Sequence, residues 1–232
     1  MIKGFRGTSL VDFPGQIAAV VFYGGCNFRC PFCYNVDLVL PERLRHLPDL
    51  DPEEILGELQ RREGFISGLV VSGGEPTLHH RHLRHFLEMV RMETNLALKL
   101  DTNGSAPGVV KEFIEAGLID YVALDLKTSP ERYKELGGSF ELVEETISLL
   151  HSSSIPFEIR VTVVPAFVGQ EELEKMLPYL EKAPRVALQR FMNEFDRLRP
   201  ELDLGLYGPD ELKGLRAFLA SRLSGEVLLR HV

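Results

Sequence analysis

Short apolar runs alternate with longer amphipathic stretches along this chain. The runs at 17–22, 68–72, 96–100, 121–124, 157–164 and 185–189 are rich in Val, Ile, Leu and Ala and are flanked by polar or turn residues, as buried strands are. Between them the period lengthens to that of a helix with one apolar face. Asp51 is placed to cap a helix that Pro52 opens. Further helices are predicted over 80–92, 107–116, 141–151, 170–180 and 209–223, and Gly117 stands where the 107–116 helix must stop. Residues 226–230 can add an edge strand. The connection over 27–49 is long for a loop between a strand and a helix, and loops of that length tend to carry function.

Repeated strand–helix alternation predicts an α/β fold with parallel strands and right-handed crossovers. A doubly wound sheet and a β/α barrel both satisfy it. Six units are too few for an eightfold barrel, so the expected form is a partial (open) β/α barrel of about six parallel strands. The 232 residues read as a single domain, with a core over about 16–190 and a C-terminal extension over 191–232. Composition leaves this picture intact, since 44% hydrophobic and 26% charged residues are ordinary for a soluble globular chain. No run reaches the roughly 20 apolar residues that span a bilayer, and the first residues lack the apolar core of a signal peptide. A membrane partner is therefore not expected, and the cytoplasm is the expected location. The net charge of −8 argues against nucleic acid as the main partner, although residues 1–50 carry +1 and the rest −9.

Polar clusters fall at successive strand ends. Cys26, Cys30 and Cys33 follow the first run, Gly73-Gly74-Glu75-Pro76 the second, and Asp101-Thr102-Asn103-Gly104 the third. Asp125-Leu126-Lys127 ends the fourth, Arg160 lies within the fifth, and Gln189-Arg190 ends the sixth. Active sites of parallel β/α proteins form at the carboxyl ends of strands. The three cysteines are the chain's whole complement and lie within eight residues, a poor disulfide framework. Three thiolates in C-x3-C-x2-C can hold three irons of a cubane and leave the fourth iron open. A zinc site with His79 or His80 as fourth ligand is the plainer alternative, although the second ligand pair of a structural zinc site is missing. Gly-Gly-Glu by itself reads as a tight turn, Lys127 as a partner of Asp125, and Arg160 as either a ligand contact or a buried ion pair. His79, His80, His82 and His85 group near Glu75 and read as a solvated helix start. Nothing in the chain suggests a Ser-His-Asp or Cys-His nucleophile.

Cys26-Asn27-Phe28-Arg29-Cys30-Pro31-Phe32-Cys33-Tyr34-Asn35 resembles the signature of the radical S-adenosylmethionine (SAM) enzymes, and Gly73-Gly74-Glu75-Pro76 downstream strengthens the likeness. Within that superfamily the chain resembles the activating enzymes of glycyl radical enzymes. Ser9-Leu10-Val11-Asp12-Phe13-Pro14-Gly15 is similar to the opening of the activators of anaerobic ribonucleotide reductase.

The resemblance implies a [4Fe–4S] cluster on Cys26, Cys30 and Cys33, with Phe32 and Tyr34 beside it. It implies that Gly73, Gly74 and Glu75 contact the methionine amino group of SAM, and that Asp101, Asn103, Asp125, Lys127, Arg160 and Gln189 belong to the same cofactor site. Gln189 stands where pyruvate formate-lyase activators carry a histidine, and Tyr34 where a histidine often follows the third cysteine. Asp101, Thr102, Asp125 and the carbonyl of Ala123 match the residues that can hold a monovalent cation in those activators. The implied reaction is reductive cleavage of SAM to a 5′-deoxyadenosyl radical, which abstracts a glycine Cα hydrogen from a partner, with flavodoxin or ferredoxin as reductant. Three cysteines leave none for a second cluster. The rival expectations are a radical SAM enzyme acting on a small molecule, another glycyl radical enzyme such as pyruvate formate-lyase as partner, and a zinc-binding module without catalysis.

Overall fold

Each apolar run of the sequence becomes a strand in the computed structural model, which describes residues 1–194 and 196–230. The runs give β2 (Ala18–Tyr23), β3 (Gly68–Gly73), β4 (Ala97–Thr102), β5 (Tyr121–Asp125), β6 (Phe157–Val163) and β7 (Arg185–Arg190). Two strands flank them, β1 (Ile2–Ser9) and β8 (Glu226–Arg230). The helices are α1 (Val36–Val39), α2 (Pro41–Leu44), α3 (Pro52–Arg62), α4 (His80–Glu93), α5 (Pro107–Glu115), α6 (Phe140–Ser152), α7 (Gln170–Leu180) and α8 (Pro209–Ala220). The Asp51 carboxylate accepts from the Glu53 N–H, and Gly117 closes α5 at φ +64°. Two short helices, α1 and α2, subdivide the long 27–49 connection.

The strands follow one another from β1 to β8 in an eight-stranded, mostly parallel sheet. This is the partial β/α barrel topology expected from the alternation, with eight strands where about six were expected. β1 escapes a search for apolar runs because Lys3, Gly4, Arg6 and Gly7 interrupt it. It pairs antiparallel with β2 through a bulged register. Among the described residues no helix is long and apolar enough to cross a membrane.

The chain divides into two compact units. The first holds Met1–Asn27, Asp37–Thr102 and Gly108–Val122. Here β2, β3 and β4 run parallel, with Val20 opposite Val70 and Val70 opposite Lys99. Strand side chains alternate between faces. Ala18, Val20 and Val70 share one face with the partly buried Phe22, Ala97 and Tyr121, and the buried Phe13 packs into them. Phe13 approaches Gly68 so closely that a Cβ there would lie 2.8 Å from its ring. Leu10 and Val11, three and two residues earlier, are 73% and 68% exposed. The opposite face presents Ala19, Val21, Leu69, Val71, Leu98 and Leu100, all removed from solvent. Ile55 and Leu59 of α3 and Leu83, Phe86, Leu87 and Val90 of α4 form the buried helical stripes. Each such side chain contributes about 2 kcal/mol over leaving it in water.

The second unit holds Phe28–Val36, Asn103–Pro107 and Ala123–Val232. In it β6, β7 and β8 run parallel, with Thr162 opposite Gln189 and Gln189 opposite Arg230. Ile159, Val161, Val163, Val186 and Leu188 make the apolar face. The buried stripes of α6 (Val143, Ile147, Leu150), α7 (Leu173, Met176, Leu180) and α8 (Leu212, Leu215, Leu219) complete this core. The other face is polar: Glu158, Arg160, Thr162, Gln189 and Arg230 alternate with the apolar set. Arg230 donates to both carboxylate oxygens of the fully buried Glu158, at 3.2 and 2.7 Å.

Candidate active site

In the first unit β2 ends at Tyr23 and hands the chain to Gly24, Gly25 and Cys26. All three carbonyls before Cys26 are hydrogen-bonded. The Tyr23 carbonyl accepts from the Gly74 N–H at 2.8 Å and the Gly25 carbonyl from the Glu75 N–H at 2.8 Å. Between them the Gly24 carbonyl pairs with His79 Nε2 at 2.6 Å. A carbonyl only accepts, so Nε2 carries the proton. Both glycines are demanded by this contact. Gly73 sits at φ +124°, and a Cβ there would lie 2.2 Å from the Tyr23 carbonyl oxygen. At Gly74 a Cβ would lie 2.1 Å from the Gly25 oxygen. The Cys26 turn therefore rests directly on bare backbone at the end of β3. Behind it the buried Tyr23 hydroxyl meets His82 Nδ1 at 3.2 Å. Burial lowers the His82 pKa and pushes the Tyr23 hydroxyl well up, which favours the neutral form of each.

Glu75 is fully buried. Its Oε1 accepts from the Thr77 N–H at 3.1 Å, the Thr77 hydroxyl at 2.6 Å and the Thr102 hydroxyl at 2.9 Å. It thus caps the 3₁₀ turn Pro76–His79 and ties the end of β4 to the end of β3. Asp101 is also buried, and its Oδ2 accepts from the Ser72 hydroxyl at 3.0 Å. Its Oδ1 lies 2.5 Å from Lys99 Nζ, a residue with 1% exposure. His80 Nε2, a candidate zinc ligand, instead lies 2.9 Å from Glu112 Oε2.

In the second unit the cysteine loop is held at several points. The Arg29 N–H donates to the Leu136 carbonyl at 2.7 Å, and the Cys33 N–H to the Cys30 carbonyl at 3.0 Å. From the C-terminal segment, the Leu198 N–H donates to the Cys33 carbonyl at 3.1 Å and the Arg199 N–H to the Pro31 carbonyl at 3.3 Å. Phe28 packs edge-on against Tyr133 and covers Gly138, where a Cβ would lie 2.5 Å from its ring. Phe32 is buried with its ring 5.4 Å from that of Phe167, whereas Tyr34 is exposed. Cys30 is buried, Cys26 and Cys33 are half-buried, and none is in a disulfide. Burial pushes the Cys33 thiol up, opposed by the backbone hydrogen bond at Asn35 and by the charges of Lys127 and Arg29.

Asp125 stands between two cations, with Oδ1 2.7 Å from Arg160 Nε and Oδ2 2.9 Å from Lys127 Nζ. Burial acts to raise its pKa, but Arg160 and Lys127 together hold the carboxyl well below the usual range. Burial likewise acts to lower the Lys127 pKa, and Asp125 and Cys30 reverse it. The Lys127 N–H donates to the Tyr133 hydroxyl oxygen at 3.1 Å, and the Leu126 N–H to the Arg160 carbonyl at 2.9 Å. Asn103 Oδ1 accepts from the Ser105 N–H at 2.9 Å, which shapes the turn, and the Gly104 carbonyl accepts from the Thr146 hydroxyl at 2.6 Å. Ala123 is buried within β5, and Gln189 is half-buried in the polar row with Thr162 and Arg230.

Within the first unit the structure thus gathers Cys26 with Gly73 and Gly74, and Glu75 with Thr102. Within the second it gathers Asp125, Lys127 and Arg160. Among the described residues no three His, Cys, Asp or Glu side chains are grouped as for one metal ion. The sequence reading missed Lys99, His79's bond to Gly24, and the Glu158–Arg230 pair. Lys99 was legible in principle: it is the one charge in the run 96–100 and shares a strand face with Asp101 two residues on.

The family model described as the Radical SAM superfamily matches residues 20–179. The chain is 32% identical over 198 residues to a Methanocaldococcus jannaschii protein provisionally named a glycyl-radical enzyme activating enzyme, covering 82% of this chain and 80% of that one. It is 26% identical over 217 residues to the pyruvate formate-lyase-activating enzyme of Clostridium pasteurianum, covering 88% of each. The crystal structure of Streptococcus suis SuiB bound to precursor peptide SuiA superposes with a TM-score of 0.72 over 91% of this chain, at 13% identity. That likeness concerns the fold alone, and this chain spans 48% of that structure's length.

Proposed function

The chain belongs to the radical SAM superfamily and is an enzyme of that family, and from this membership we propose that it activates a glycyl radical enzyme. The Cys26 turn carries the reading: the first cysteine of the C-x3-C-x2-C motif leaves β2 on a turn packed against the backbone of the Gly73–Gly74 pair. The donor set fits a [4Fe–4S] cluster, since it offers three thiols outside any disulfide and no fourth cysteine. When bound, cluster and SAM supply a one-electron cleavage that yields a carbon radical able to take a hydrogen atom.

The chain's own residues bind and orient. Cys26, Cys30 and Cys33 hold the cluster, and Phe32, packed on Phe167, stiffens the loop between them. Gly73 and Gly74 present main chain where the methionine end of SAM approaches, and Glu75 fixes the shape of that turn from within. Lys127 and Arg160, each held by Asp125, bring positive charge to a carboxylate. The resemblance of the motifs supports a cofactor role for Tyr34, Asn103 and Gln189 as well.

The partner is a glycyl radical enzyme, which supplies the glycine Cα hydrogen, and a flavodoxin or ferredoxin supplies the electron. The Ser9–Gly15 motif favours anaerobic ribonucleotide reductase as that partner. The similarity to a pyruvate formate-lyase-activating enzyme supports pyruvate formate-lyase as the second to test. The test begins with anaerobic iron and sulfide reconstitution, reduction by dithionite and assay of 5′-deoxyadenosine. Each partner is then added and its glycyl radical read by electron paramagnetic resonance. A brown protein that cleaves SAM and raises the radical on one partner is the expected outcome. A colourless, zinc-binding protein that leaves SAM intact would overturn the assignment.

A further inference from the structure

Lys99 is a charged side chain buried in the first unit, with 1% exposure. It lies on β4, in register with Val70, on the face where Phe13, Val20 and Val70 pack. Its ammonium ends among oxygens. It donates to Asp101 Oδ1 at 2.5 Å and to the Asp12 backbone carbonyl at 2.7 Å. The other Asp101 oxygen is taken by the Ser72 hydroxyl. A buried ammonium is tolerated only with a counter-charge and hydrogen-bond acceptors, and here it has both.

Carboxylate, backbone carbonyl and hydroxyl oxygens are also what a hard monovalent cation would select. Asp101 was expected from the resemblance to contribute to such a site, but Lys99 already supplies the positive charge that Asp101 needs. In the second unit Asp125, the other expected carboxylate ligand, is neutralised in the same manner by Arg160 and Lys127. The Thr102 hydroxyl gives its proton to Glu75.

We propose that the Lys99 ammonium is a built-in monovalent cation, which balances Asp101 and makes an added potassium or sodium ion unnecessary. The proposal also explains the Ser9–Gly15 motif. The Ser9 hydroxyl binds Asp12 Oδ2 at 2.5 Å and shapes the turn. That turn leaves the Asp12 carbonyl aimed at Lys99 while Phe13 enters the core. One lysine thereby joins the entry to β2 with the site-bearing end of β4. The only element taken from the functional reading is that this end of β4 faces the cofactor.

The test compares potassium chloride with tetramethylammonium chloride, whose cation is too large for a small oxygen cage. In the iron-free wild-type chain, the melting temperature should be the same in both salts and thallium(I) nuclear magnetic resonance should show no bound ion. Lys99→Met should melt lower in tetramethylammonium, recover in potassium and bind thallium(I). In the reconstituted wild type, SAM cleavage should be equal in the two salts. A wild-type chain that binds thallium(I) or gains stability from potassium would overturn the proposal, as would a folded Lys99→Met chain indifferent to potassium. Should Lys99→Met fail to fold, the wild-type measurements still decide. A chain that cleaves no SAM in either salt would count against the functional reading, while the stability and thallium(I) arms would still judge Lys99.

Discussion

Asp125 is held by opposite charges on both oxygens, so its carboxyl is more acidic in the folded chain than in the unfolded one. A carboxylate with a depressed folded pKa adds stability at neutral pH. That contribution fades as pH drops below the unfolded value of about 4 toward the lower folded value. Asp125→Asn removes a counter-charge shared by Arg160 and Lys127 and should lower the unfolding free energy of the iron-free chain by about 3 kcal/mol at neutral pH. Urea titrations at neutral and acidic pH would check both claims: the variant should lose less stability on acidification than the wild type. The Asp125–Lys127 pairing was legible in the sequence because the two residues share a strand-end face. Arg160 was left between two readings, since only the folded chain shows which carboxylate a buried arginine meets.

At the scale of elements, the turn after β3 and the turn after β2 are built as one object. Gly74→Ala would drive a methyl group into the Gly25 carbonyl, and neither partner is a side chain that can rotate away. The iron-free Gly74→Ala chain should therefore melt at least about 10 °C lower or fail to fold, as scanning calorimetry or circular dichroism would show. His79→Leu removes a side-chain anchor of this contact, the bond to the Gly24 carbonyl. It should fold with a loss of about 1–2 kcal/mol and retain less iron after reconstitution. The periodicity of the chain marked both elements, α4 and β3, to within two residues. It placed the histidines on a solvated helix start because sequence distance hides a bond across 55 positions. β1 was invisible for a similar reason: its stability comes from the pairing with β2, and its own residues carry little apolar signal.

For the molecule as a whole, the question is whether the metal site holds the fold or the fold holds the site. The cores are built mainly of strand and helix side chains, and the cysteines lie on the connection that follows β2. Backbone bonds from Leu136, Leu198 and Arg199 position that connection without metal. Cys30→Ala should accordingly keep the far-ultraviolet spectrum and a cooperative melt while losing iron and at least about 100-fold in SAM cleavage. A zinc-stabilised module would behave in the opposite way and unfold with its metal removed.

Local pattern decided the α/β alternation, the strand-end placement of the polar residues and the three-thiol motif, because period, turn chemistry and ligand spacing are short-range properties of the chain. Tertiary structure decided which charge answers which. It set Lys99 against Asp101, Arg160 against Asp125 and Arg230 against Glu158, and it turned Glu75 inward to Thr77 and Thr102. Partners far apart in sequence meet only where strand register and loop path bring their side chains together, and a buried charge has no defined role until that meeting occurs.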